Sequence, residues 1–289
     1  MKNPLSLFSL IACYAMLFWQ CGAKDSAEAV RVVPVEPSLE MVWETPAELN
    51  TCESVLYDPQ SGRIYVSNIN GDPSVKDGNG FISIINLEGK IVTKEWVKGL
   101  NAPKGMGIVG KLLYVTDIDE LVEIDTETAR ITNRYRVNGA QFLNDVDTHE
   151  GRVYFSDMRA GNIHLLQNGS VSLFAEGQEN INGLRVRDDG TVYGLDGSGL
   201  KKYSSDGNFE VVNAIVTGGD GLIILDDDAF LASRWQGEIW LIEGEKETKL
   251  LDTKDQESNT ADIEFIPSQD LVLVPTFFKN KVVAYKLDY

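Results

Sequence analysis

Hydrophobic and polar positions alternate along most of the chain in short runs. "GRIYVSN", "FISIINL", "KLLYVTD", "RVYFSD", "NIHLL", "TVYGLD", "AFLASR", "EIWLIE" and "KVVAYKL" are rich in Val, Ile, Tyr and Phe. Gly, Asn and Asp punctuate them. This is the pattern of short β-strands joined by turns. Helical periodicity is almost absent, so the chain is predicted to be all-β.

The strands belong to a longer repeat. Each unit opens with a polar pair and a hydrophobic strand, turns, and runs into a second strand ending near Ser/Thr-Asp. The openings are "CESVLYD" at Glu53, "PKGMGIV" at Lys104, "NDVDTHE" at Asn144, "NGLRVRD" at Asn182, "DGLIILD" at Asp220 and "ADIEFIP" at Asp262. They are spaced 51, 40, 38, 38 and 42 residues apart. The first unit is longer because it holds the insertion "NGDPSVKDGNG". A period near 40 residues with about four strands is one propeller blade. The prediction is a six-bladed β-propeller over residues 39–289, with four-stranded blades. Leu39–Pro46 is expected to close the ring as the outer strand of the last blade. The alternative, a β-sandwich plus a small second domain, does not account for the even spacing.

The N-terminus follows other rules. Lys2 precedes an apolar run from Leu5 to Trp19. That run is short for a membrane span but fits the hydrophobic region of a secretory signal. Cys21 follows at once, as in bacterial lipoprotein signals. Residues 1–20 are therefore read as a signal peptide and 21–38 as a flexible tether. A lipid on Cys21 would hold the protein at a membrane surface without spanning it. Cleavage after Ala29 is the alternative. Either way the protein is expected to be exported, to the periplasm or a membrane surface.

Charge and cysteine content narrow the partners. A net charge of −18 disfavours nucleic acid. With Cys13 inside the signal and Cys21 lipidated, Cys52 has no disulfide partner, and no Cys/His spacing suggests zinc.

In a propeller the first strand of each blade lines a central channel, so the six openings converge. Glu53, Lys104, Asn144 with Asp145, Asn182, Asp220 and Asp262 form the candidate ring. Five blades offer a side-chain oxygen. Calcium favours carboxylate and amide oxygens, and the lack of imidazole and thiolate disfavours zinc and copper. Magnesium and manganese remain open. Taken singly, Asn-Gly and Asp-Gly pairs read as turn residues; it is their shared phase in the repeat that points to a site. His149 and His164 read as structural or surface residues. Trp235, Trp240, Phe277 and Phe278 read as packing between blades or lining the rim, and Asn168 in "NGS" as a turn.

"ESVLYD", "FLNDVDTHEGRVYFSD", "INGLRVRDDGTVYGLD" and "GGDGLIILDDDAFLAS" resemble blade motifs of the SMP-30/gluconolactonase/LRE-like family of six-bladed propellers. The resemblance implies that Glu53, Asn144, Asn182 and Asp220 bind a divalent cation, and that Asp220, Asn144 and Lys104 take catalytic roles. Phe142 stands where many of those lactonases carry a basic residue, and Lys104 is the candidate to replace it. The implied activity is calcium-dependent hydrolysis of a lactone or related ester, with a small-molecule substrate. The rival expectation is a non-catalytic, surface-tethered propeller that binds a sugar, peptide or protein around a structural cation.

Overall fold

The computed structural model describes residues 36–289. The expectations for the signal peptide, for Cys21 and for most of the tether lie outside the described residues.

The described chain is a six-bladed β-propeller of four-stranded antiparallel sheets. β1 (Ser38–Glu44) stands apart in sequence from its own sheet. The first blade is β2 (Cys52–Asp58), β3 (Arg63–Asn68), β4 (Gly80–Ile85) and β5 (Ile91–Leu100). The second is β6 (Pro103–Val109), β7 (Leu112–Asp117), β8 (Glu120–Asp125) and β9 (Arg130–Arg136). The third is β10 (Leu143–His149), β11 (Arg152–Asp157), β12 (Asn162–Gln167) and β13 (Ser170–Ala175). The fourth is β14 (Leu184–Val186), β15 (Val192–Asp196), β16 (Gly199–Tyr203) and β17 (Phe209–Asn213). The fifth is β18 (Leu222–Ile224), β19 (Ala229–Arg234), β20 (Glu238–Glu243) and β21 (Lys246–Asp252). The sixth is β22 (Glu264–Ile266), β23 (Leu271–Pro275) and β24 (Val282–Asp288), completed on its outside by β1. β1 runs antiparallel to β24, from Ser38 opposite Asp288 to Glu44 opposite Val283. The expected N-terminal closing strand is therefore in place.

The core is divided among the interfaces between blades. Val55, Ile64 and Val66 of the first blade pack on Leu271, Leu273 and Ala284 of the sixth. Tyr65 and Ile82 meet Val115 and Val122 across the next interface. Four further clusters repeat the arrangement around the ring. This is why the second strand of each blade reads as largely hydrophobic sequence. Both of its faces are covered by neighbours, and burial of apolar area is the main force holding the ring.

The Ser/Thr-Asp signature at the end of the second strands has two distinct jobs. Asp117 accepts hydrogen bonds from the backbone N–H groups of Asn101 and Ala102. Asp157 does the same for Gln141 and Phe142. Each aspartate thus ties down the loop that enters its own blade. The preceding hydroxyl works at the inner strand, where the site begins.

Candidate functional site at the channel mouth

The first strand of each of the first three blades carries one residue too many for its partner. In the first blade, Cys52 faces Asn68 and Val55 faces Val66, so Glu53 and Ser54 oppose Ser67 alone. Lys104 and Gly105 oppose Thr116 in the same way. Asn144 and Asp145 oppose Ser156. These are β-bulges, which re-aim side chains. The hydroxyls satisfy the irregular backbone: Ser67 Oγ accepts from Ser54 N at 2.9 Å, Ser156 Oγ from Asp145 N at 2.9 Å, and Ser233 Oγ from Gly221 N at 2.8 Å. The sequence signature is the support for a bulge, and the bulge presents the candidate ligand.

Asn182-Gly183 and Asp220-Gly221 are not turns. A Cβ on Gly183 would lie 2.3 Å from the backbone oxygen of Asp220, and one on Gly221 would lie 2.4 Å from the backbone nitrogen of Ile263. The glycines let the inner strands of successive blades approach each other around the channel. That fixes the neighbouring Asn182 and Asp220 at the same level.

Glu53, Lys104, Asn144, Asn182 and Asp220 all line one cavity of about 440 Å³. Asn182 Nδ2 donates to Asp220 Oδ1 at 2.8 Å. Glu53 Oε2 and Asn182 Oδ1 are buried and have no hydrogen-bond partner. Lys104 is 1% exposed. Its ammonium donates to the carbonyls of Pro73 at 3.1 Å and Ala102 at 3.0 Å, leaving one N–H of three for a ligand. Lys104 Nζ lies 4.3 Å from the centre of the Phe142 ring, and the Arg159 guanidinium is also 4.3 Å from it. Two cationic groups therefore flank the Phe142 ring.

Asp262 takes a different place from the ring residues. It accepts from Ser54 Oγ at 2.5 Å, and it does not line the cavity. Asp145 accepts from Leu184 N at 2.6 Å and so ties the third blade to the fourth. Further along the channel Arg185 donates to the carbonyls of Leu222 at 2.7 Å and Ile263 at 3.1 Å, near Asp147 and Glu264. The acidic residues of the channel therefore form tiers, and only the outermost faces the cavity.

Burial and mutual repulsion set the charge state of that outer tier. Burial, then the charges of Asp220 and Asp262, raise the Glu53 carboxyl well above the usual range. Burial, then Asp262, push Asp220 up to about 8, against the hydrogen bond from Asn182. Burial lowers Lys104 to about 8, against the attraction of Glu53.

Two unsatisfied acceptors beside carboxylates that resist ionisation are what a cation would relieve. Among the described residues, no group of three or more His, Cys, Asp or Glu side chains is arranged to hold a metal ion. The candidate set instead combines the carboxylates of Glu53 and Asp220 with the carboxamides of Asn144 and Asn182. That all-oxygen, doubly negative set fits a hard divalent ion.

The chain matches solved propellers in fold. A catalytically inactive virginiamycin B lyase from Staphylococcus aureus, solved with quinupristin, superposes with a TM-score of 0.63 at 12% identity, covering 88% of this chain and 100% of that one. A gluconolactonase from Xanthomonas campestris gives 0.63 at 12%, covering 86% and 87%. A chain of a nidogen/laminin complex gives 0.56 at 15%, covering 70% and 80%. At these identities the likeness is one of fold. No protein-family model matches the chain, and no curated protein matches it.

Other expectations meet the structure with one addition and one change. His164 is buried in β12 and stacks on Phe155 at 5.3 Å, a structural role. His149 closes β10 rather than lying in a turn. Trp235, Phe277 and Phe278 line the cavity itself. Trp235 and Phe277 stand at one position of the repeat, just past the second strand: Trp235 directly after β19 and Phe277 two residues after β23. The equivalents are Ile69, Ile118, Met158 and Gly197. Aligning the repeat at that position would have revealed a second, mostly apolar ring beside the polar one.

Proposed function

We propose that this cavity opens a lactone or related ester with water, using a divalent cation, calcium by preference, held by Glu53, Asn144, Asn182 and Asp220. The observation that carries the reading is the pair of buried, donorless oxygens, Glu53 Oε2 and Asn182 Oδ1, in one cavity with Asp220. When bound, the cation supplies Lewis-acid polarisation of the ester carbonyl. Asp220 is oriented by Asn182, and once the cation has displaced its proton this carboxylate is the group in the cavity that can take a proton from attacking water. The unused N–H of Lys104 is the donor available to the oxygen that gains negative charge. The insertion in the first blade borders the cavity through Pro73. Its Pro73 carbonyl accepts from Lys104, its Ser74 Oγ accepts from Arg159 at 3.2 Å, and its Lys76 pairs with Asp119 at 2.5 Å.

The test is hydrolysis of a lactone and aryl-ester panel by chelator-stripped protein with and without calcium. Turnover that requires the cation and is lost in Asp220→Asn supports the reading. Turnover indifferent to chelator contradicts it. Cation binding with no turnover on any ester would assign the cavity to a binding propeller instead.

A further inference from the structure

The cavity has two unlike halves. Its floor is the polar ring. Its wall on the fifth and sixth blades is aromatic. Trp235 and Phe277 meet edge to face with centroids 5.5 Å apart, Trp235 and Phe278 at 5.9 Å, and Phe277 and Phe278 at 4.8 Å. Phe278 is 62% exposed and Trp235 38%. Large aromatic rings left open to water at a cavity rim mark a surface that something apolar covers. Ile69, which packs in one cluster with Phe277, and Pro73 and Met158 extend the apolar lining.

The backbone is bent to make this wall. Phe277 has φ of 48°, a left-handed conformation that is unfavourable for a bulky residue. It is held by the turn in which Lys279 N donates to Thr276 O at 3.1 Å and Asn280 N to Phe277 O at 3.1 Å. Strain of this kind persists where surrounding structure imposes it, often at ligand sites. Trp235 is fixed as well, because its carbonyl accepts from Asn259 Nδ2 at 2.9 Å.

We infer that the substrate carries an apolar ring or branched hydrocarbon group, seated against Trp235, Phe277 and Phe278, with its ester directed to the polar floor. This rests on the ester-opening reading and specifies its substrate class. A polyhydroxylated sugar lactone would place hydroxyls against a wall that offers them no partners. Each buried hydroxyl left unpaired weakens binding. An aryl or alkyl group loses nothing there and gains contact with ring edges and faces.

The experiment uses the full chain with calcium, γ-phenyl-γ-butyrolactone and δ-nonalactone as apolar probes, and glucono-δ-lactone as the polar one. The expected result is a kcat/KM for the apolar lactones roughly 100-fold above that for the sugar lactone. Trp235→Ala and Phe278→Ala, both at the rim, should each lower the apolar values by about 10-fold, chiefly through KM, and leave the sugar lactone unchanged. A second readout is independent of turnover. In chelator-stripped protein, 4-phenylbutyramide should quench tryptophan fluorescence, and Trp235→Phe should abolish the quenching. A sugar lactone turned over as well as the apolar ones, or wall variants without effect, overturns the inference while leaving ester opening intact. Quenching without turnover of any lactone supports the apolar wall and defeats the ester-opening reading. Absence of both quenching and apolar preference defeats the inference itself.

Discussion

Asn182 donates its amide N–H to Asp220 Oδ1 at 2.8 Å, and in doing so leaves its own amide oxygen a buried acceptor with no donor. The two side chains come from adjacent blades, 38 residues apart in sequence. They are brought together because Gly183 allows the backbones of those blades to meet. One amide therefore orients a carboxylate and offers a ligand oxygen.

This pairing predicts opposite outcomes for two small changes. Asn182→Asp replaces the amide by a third acid, so the cation-free protein should melt lower than wild type. Calcium should raise its melting temperature by more than it raises the wild type's, because added ligand charge strengthens the site. Asn182→Leu removes both donor and acceptor, so calcium should raise its melting temperature little or not at all. Thermal melts with and without calcium check both.

Stability of the cation-free protein should depend on pH in a defined direction. In the unfolded chain Asp220 ionises near 4, whereas in the folded protein burial and Asp262 hold its proton up to about 8. Between those values the folded state binds more protons than the unfolded state. Raising the pH from about 4 to 8 therefore removes stability. Asp220→Asn should flatten the decline, and bound calcium should flatten it too by displacing the proton. Urea unfolding across that range measures the slope.

Gly221→Ala tests the close approach between the fifth and sixth blades. The added Cβ would sit 2.4 Å from the backbone nitrogen of Ile263, and backbone cannot swing aside as a side chain can. A loss of about 1–3 kcal/mol is expected, with weaker calcium binding because Asp220 moves with its neighbour.

The ring closure can be probed separately. β1 supplies the outer strand of the sixth blade, and Trp43 packs into the cluster shared by the first and sixth blades. Trp43→Ala should lower stability, by less than the ~3–5 kcal/mol of a fully buried tryptophan because Trp43 is only half-buried. The calcium affinity of the protein that remains folded should not change, because the channel mouth contains no part of β1.

Much of this architecture was legible in the sequence. The recurrence of polar openings at Glu53, Asn144, Asn182 and Asp220 gave both blade number and a shared axial level, and the structure gathers all four in one cavity with Lys104. Phase alone could not show which side of a bulge faces the cavity. Asp145 and Asp262 stand one residue past the cavity-lining position, level with Ser54 and Gly221, and turn to Leu184 and Ser54 instead. The glycines after Asn182 and Asp220 looked like turn residues because local sequence carries no record of a backbone arriving from the next blade. Trp235, Phe277 and Phe278 read as packing or rim residues in the sequence and do lie at the rim, but their union into one wall was not legible, because Trp235 and Phe277 share a repeat position with Ile69 and Met158, a likeness of place rather than of residue type.

The central claim is that the polar ring binds a divalent cation. Calorimetric titration of chelator-stripped protein with calcium at pH 7, run in two buffers of different ionisation enthalpy, tests it most directly. The account predicts saturable binding of about one ion per chain with net release of protons, since burial and mutual repulsion raise the carboxyls of both Glu53 and Asp220. It predicts that Asp220→Asn and Glu53→Gln abolish or strongly weaken that binding. No binding at millimolar calcium, or binding of unchanged affinity in both variants, would contradict it.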